Sequence, residues 1–162
     1  GSITGLYTIL VEGDDMSEPI SDAARGILDG HVILSRKLAQ KGHFPAIDVL
    51  DSVSRVAGDV SDSGHTAARH QIMRLLAAYH DVEDLVQIGA YASGANPDTD
   101  TAIDMVGVIN ELLMQRTDEQ AAFDPAQQML MKLALQSGEM IAQRKKIMSS
   151  GQQAPANPFI QR

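Results

Sequence analysis

GSITGLYTILVEGDDMSEPISDAARGILDGHVILSRKLAQKGHFPAIDVLDSVSRV, residues 1–56, holds the densest run of strand and turn signals in the chain. Within it, Ile3 to Val11 joins apolar and β-branched residues without a polar break, which predicts a buried strand. Glu12-Gly13-Asp14-Asp15 ends that run with turn formers. Ser17 stands where a helix cap would, Pro19 suits a first turn, and the helix is expected to reach about Leu28. Gly30 separates it from His31 to Leu34 (HVIL), a short apolar run that reads as a parallel strand. Ser35 to Gln40 reads as a helix stopped at Gly42. Phe44-Pro45-Ala46-Ile47-Asp48 reads as an extended loop, and Asp51 to Val56 follows it. Strand, helix, strand, helix in this order predicts a piece of an α/β layer. Two short strands bury little and leave their edges open, so more strands are expected from sequence preceding Gly1. The start without Met agrees with a fragment, and Gly1-Ser2 is either a cloning remnant or native.

Downstream the pattern changes. From His65 onward apolar residues recur at three and four: Ala68, Ile72, Leu75, Leu76 and Tyr79. Val82 to Ile88 continues or bends this helix, and Gly94 breaks it. Asn96-Pro97 is a cap followed by proline, opening a helix that carries Ile103, Val106, Ile109, Leu112 and Leu113. Gly107 inside it permits a bend. Asp124-Pro125 repeats the signal for a third helix with Met129, Leu130, Leu133 and Ala134. Gly138 is expected to interrupt it before a last basic turn or two from Glu139 to Met148. The division is therefore an α/β portion over residues 1–57, a helical domain over 58–150, and a tail over 151–162 whose composition predicts disorder.

Composition narrows the function. The formal net charge is −8 and the basic residues are spread thinly, which argues against a nucleic-acid surface. The chain has no cysteine, so neither a disulfide framework nor a thiolate metal site is available. No apolar run reaches membrane-spanning length, and no secretory leader is expected. There is no GxxxxGK[ST] phosphate loop and no GxGxxG. The histidines lack metal-ligand spacing, so no metal site is expected.

Three features stand out by residue type. Arg55, in SVSRV, is either a boundary cation paired with Asp51 or Asp59 or a guanidinium placed to donate two parallel hydrogen bonds to phosphoryl oxygens. Phe44, before Pro45, is either a core or hinge aromatic or a flat apolar face for a purine base. The acidic turn with Asp14, Asp15 and Glu18 is either a solvated loop or a contact for a basic partner.

Taken together, GDDMSEPISDA, LDGHVILSR, HFPAIDVL and SVSRV resemble the second half of the catalytic domain of the type III secretion ATPases, with the flagellar export ATPases the nearest group. The resemblance continues through AARHQIMRLLAAYHDVEDLVQIGAY and GANPDTDTAID to about residue 104 and is only general beyond it. It implies a RecA-like nucleotide-binding domain, here an α/β remnant, followed by an all-α C-terminal domain, in an ATPase that works as a homo-hexamer. It implies ATP and Mg2+ in the full-length protein, with the phosphate loop upstream and none bound by the fragment, which should be inactive and monomeric or non-specifically associated. Arg55 matches the family's arginine finger, which reaches the neighbouring subunit's γ-phosphate. Phe44, with Pro45, matches the adenine-packing aromatic, usually Tyr. Asp14, Asp15, Ser17 and Glu18 match an acidic loop facing a central stalk. Implied partners are a stalk-like protein, the export gate and export chaperones, at the cytoplasmic face of the export apparatus and at most peripheral to the membrane. Two other readings are a non-catalytic helical partner-binding module and a rotary ATP synthase β subunit, over which SVSRV and HFPAIDVL favour the secretion family.

Overall fold

A computed structural model describes residues 1, 3–11 and 18–150. Its elements are α1 (Pro19–Ile27), β1 (Gly30–Leu34), α2 (Arg36–Gln40), β2 (Ile47–Ser54), α3 (Ala57–Val60), α4 (Ser63–His80), α5 (Glu83–Gln87), α6 (Pro97–Leu113) and α7 (Phe123–Ser149). A small α/β portion thus precedes an all-helical one, as expected.

The helical portion holds the core. Ile72 and Leu75 of α4, Ala102, Met105 and Ile109 of α6, and Leu133 and Ile141 of α7 form one buried cluster. Their three-and-four spacing puts them on one face of each helix, so three helices close on each other. Two polar residues inside are satisfied. Ser137 accepts from Gln71 Nε2 (3.0 Å) and donates to the Ala134 carbonyl (2.7 Å), and Thr101 donates to the Pro97 carbonyl (2.7 Å). Asp98 draws α4 and α7 together through Arg74 (3.4 Å) and Lys145 (3.3 Å).

Caps explain where these helices start. Asp62 accepts the His65 amide at 2.7 Å to begin α4, and Asn96 accepts the Asp98 amide at 2.9 Å to begin α6, with Pro97 in its first position. The cap expected at Asp124 is not used: α7 begins at Phe123, with Ala122 as its N-cap and no side-chain bond there. Asp124 and Pro125 lie inside the first turn, where a proline lacks only an N–H that has no partner. Gly138 does not interrupt α7 either. A glycine costs about 1 kcal/mol in a helix interior, and Leu133, Ser137 and Ile141, all buried, hold the helix on both sides.

The α/β portion corrects four expectations. Ile3–Val11 forms no strand; Ile3, Leu6 and Leu10 are almost wholly exposed. A strand exists only when another pairs with it, and no described residue does so here. β1 is not parallel to its neighbour: it pairs antiparallel with β2, Gly30 opposite Ser54 and Leu34 opposite Ile47. The segment read as an extended loop through Asp48 already enters β2 at Ile47. Glu18, not Ser17, is the N-cap of α1, without a side-chain bond. Ser17 lies outside the described residues, as does the tail.

Candidate functional site at the two ends of the β-ribbon

β1 and β2 differ in length because β2 bulges. Five residues of β1 face eight of β2, with the register breaking between His31 and Ile33. Asp48 organises the excess: its Oδ1 accepts the amides of Leu50 (3.1 Å) and Asp51 (3.2 Å). The Ser52 hydroxyl donates to the Asp48 carbonyl and accepts the Ile33 amide (3.0 Å), so it fills the ladder position that the bulge vacates. His31 Nε2 donates to the Asp51 carbonyl at 3.2 Å. The ends of the ribbon therefore lie only about 13 Å apart, the span of five strand residues.

Phe44 stands at one end. α2 closes in a Schellman turn: the Gly42 amide donates to the Ala39 carbonyl (3.0 Å) and the His43 amide to the Leu38 carbonyl (3.0 Å). Gly42 has φ +76°, the left-handed conformation that this turn needs. The chain then runs through buried His43 to Phe44, which is 55% exposed, and the Phe44–Pro45 peptide is cis. The Ser35 amide reaches the Ala46 carbonyl (2.8 Å) and the Ile47 amide the Pro45 carbonyl (2.8 Å). The Phe44 carbonyl accepts the Gln115 amide at 2.9 Å, which ties this loop to the α6–α7 connection. A second tie, Lys41 to Glu83 at 2.6 Å, raises the Lys41 pKa, chiefly through that hydrogen bond.

The two loops enclose an open concavity of about 410 Å³ lined by Gly42, Phe44 and residues 114–119. That volume suits a small organic ligand. One wall is apolar, from Phe44 and Met114. The other is polar and internally braced: Arg116 holds Asp118 through Nε (2.9 Å) and Nη2 (3.0 Å), and its amide donates to Glu119 Oε2 (3.2 Å). The sequence singles out Phe44 and Pro45 but not the loop that faces them. No local signal marks residues 114–119, since their place beside Phe44 depends on α6 returning the chain there.

Arg55 stands at the opposite end. Its amide donates to the Asp29 carbonyl (2.8 Å) and its Nη2 to the Arg25 carbonyl at the end of α1 (3.2 Å). The side chain is exposed, and among the described residues neither Asp51 nor Asp59 pairs with it. The structure thus separates Phe44 and Arg55 along one strand. Of the acidic loop only Glu18 is described; Asp14, Asp15 and Ser17 lie outside the described residues.

Among the described residues no three His, Asp or Glu side chains converge on a common point. Nor is any described helix long and apolar enough to cross a membrane.

The ribbon thus carries an exposed aromatic at one end and an exposed arginine at the other. The ATP synthase alpha/beta family, nucleotide-binding domain, matches residues 1–54, and the T3SS EscN ATPase C-terminal domain matches residues 61–132. By these two matches the chain is similar to the ATP synthase alpha/beta family over its first third and to the type III secretion ATPases over its helical portion. The flagellum-specific ATP synthase of Treponema pallidum (strain Nichols) is 48% identical over 143 residues, which are 88% of this chain and 31% of that protein. The assembled ATPase EscN of the enteropathogenic E. coli type III secretion system superposes with a TM-score of 0.78 at 41% identity, over 83% of this chain and 32% of EscN. EscN in complex with its central stalk EscO superposes at 0.67 and 40% identity, over 72% of this chain and 29% of that one. The chain therefore spans about a third of the length of the relatives it matches.

Proposed function

We propose that this chain is the C-terminal portion of an ATP-hydrolysing motor that energises flagellar or type III protein export. Residues 1–57 complete a RecA-like nucleotide-binding domain, and residues 58–150 form the helical domain that meets partners. The observation that carries this reading is the placement of Phe44 and Arg55 at opposite ends of one β-ribbon. Phe44, backed by Pro45, packs on the adenine of its own subunit's ATP in the concavity against residues 114–119. Arg55, facing away, reaches the γ-phosphate held by the neighbouring subunit of a homo-hexamer.

The chemistry is phosphoryl transfer to water. Charge spreads over the equatorial oxygens as the phosphoryl group moves, and a guanidinium that donates to them lowers the barrier. An arginine supplied in trans is worth ~10³-fold or more in rate. The phosphate cradle and the carboxylate that holds Mg2+ come from the rest of the full-length protein, so this chain alone is inactive. Mg2+ would neutralise phosphate charge there; the residues of this chain orient the base and supply the cation.

Asp14, Asp15, Ser17 and Glu18 are assigned to contact with a central stalk. The assembled state of EscN and its complex with a stalk support the hexamer and this partner. The export gate, the chaperones and a position at the cytoplasmic face of the export apparatus follow from the same family reading.

The test is the ATPase rate of the full-length protein with Arg55→Ala, measured beside nucleotide affinity. A fall of ~10²-fold or more with affinity nearly intact is expected. An unchanged rate sinks the trans role. Phe44→Ala should instead raise the KM for ATP, and Phe44→Tyr should restore it.

A further inference from the structure

We infer that the segment from Arg25 to Gly30 is a seat that sets the direction of Arg55, with Gly30 as its positioning residue; this rests on the reading of Arg55 given above. Three contacts act within six residues of chain. First, Gly30 sits so close to β2 that a Cβ there would stand 2.6 Å from the Val53 carbonyl oxygen and 3.1 Å from the Ser54 Cα. Both are backbone atoms, so no side chain can swing aside and β2 itself would have to move. Second, the Arg55 amide is held by the Asp29 carbonyl at 2.8 Å. Third, the guanidinium donates through Nη2 to the Arg25 carbonyl at 3.2 Å.

The acceptor in that third contact suits a cation. Arg25 lies in the last turn of α1, where carbonyls lack an intrahelical partner and the helix dipole concentrates negative charge. Only one donor direction of the guanidinium is engaged, so the others stay available to phosphoryl oxygens. A long side chain with free rotors would lose that freedom on reaching a phosphate. One already seated has less to lose, and the difference appears in the rate of the chemical step. Gly30 touches neither nucleotide nor phosphate and acts only through Arg55.

The experiment compares Gly30→Ala, Arg55→Ala and the double variant in the full-length protein, reading kcat, the KM for ATP and the thermal midpoint. Gly30→Ala should lower kcat about tenfold or more while leaving KM within about twofold; added to Arg55→Ala, it should change kcat by less than about twofold. Ala24→Gly is the milder companion. It loosens the last turn of α1 without a clash and should cost a few-fold in kcat, again only when Arg55 is present. It carries the test if Gly30→Ala shows no cooperative thermal transition. Losses that multiply in the double variants overturn the seat, as do folded single variants with unchanged kcat; either result leaves Arg55 as the finger. An Arg55→Ala protein that keeps its rate overturns the finger and the seat together.

Discussion

The two portions of this chain handle apolar surface in opposite ways. In the helical portion the apolar stripes of α4, α6 and α7 meet, and Leu75, Met105 and Ile109 are almost wholly buried. In the α/β portion comparable residues stay in the open: Ile27 is 81% exposed, Val32 66% and Leu34 71%. Among the described residues the buried ones there are Ser21 and His43, neither an apolar side chain. The helices carry a core of their own. The ribbon and α1 are patterned for a cover that the described residues do not supply. Stability should therefore be concentrated in one portion, while the residues assigned to ATP lie mainly in the other.

Truncation breaks or upholds that contrast most directly. Leu75→Ala should destabilise this chain by about 2–5 kcal/mol, since the cavity opens among α4, α6 and α7. Val32→Ala, on the uncovered ribbon, should stay within about 0.5 kcal/mol. Urea unfolding of the two variants decides the matter, and equal costs would mean that the ribbon is covered in solution. Hydrogen exchange on the unmodified chain sharpens it: the amides of β1 and β2 should open well before those of α4 and α6.

Gly42→Ala tests the best-ordered turn of the α/β portion. The Schellman turn requires positive φ at Gly42, and a residue with a Cβ pays about 1–2 kcal/mol there. Beyond its two chain neighbours no atom lies within 4 Å of the position where the new Cβ would stand, so the effect is conformational rather than a clash across the fold. The same variant should raise the KM for ATP of the full-length protein, because the turn aims His43, Phe44 and Pro45. A loss of stability with KM unchanged would detach Phe44 from the nucleotide.

How far the sequence discloses all this follows the same contrast. In the helical portion signals are local: Asn96-Pro97 marks a start, and spacing marks the buried face. The errors there, at Asp124 and Gly138, came from reading single residues where packing over several turns decides. In the α/β portion the decisive facts are not local. The connection from Leu34 to Ile47 is about a dozen residues long, a length at which either strand direction is available, and only the pairing itself makes β1 antiparallel. The bulge depends on Asp48 and Ser52 meeting across the ribbon, so an apolar pattern does not announce it. Arg55 and Phe44 were legible as residue types within a resemblance. That they occupy opposite ends of one strand, and that residues 114–119 face Phe44, is visible only once the chain is folded.

The smallest effect concerns the loop that joins α5 to α6, on the helical side of the comparison. Tyr91 donates to Asp100 Oδ1 at 3.1 Å, and the Gly94 amide donates to Asp100 Oδ2 at 2.9 Å, so one buried carboxylate pins the loop at two points. Burial, then the bond to Asp100, pushes the Tyr91 hydroxyl up to about 12. An unfolded chain releases that proton near pH 10. Between those values the unfolded state binds fewer protons than the folded one, so stability falls as pH rises through this window and is fully present below it. Tyr91→Phe should cost about 1 kcal/mol at neutral pH through the lost hydrogen bond. It should also lose stability more gently than the unmodified chain from pH 10 to 12, because the group that titrates is gone. Thermal midpoints of the two proteins across that window make the measurement. Parallel curves would mean that Tyr91 is not held by Asp100, and that the α5–α6 loop, although it lies beside the buried core, is as loosely kept as the ribbon.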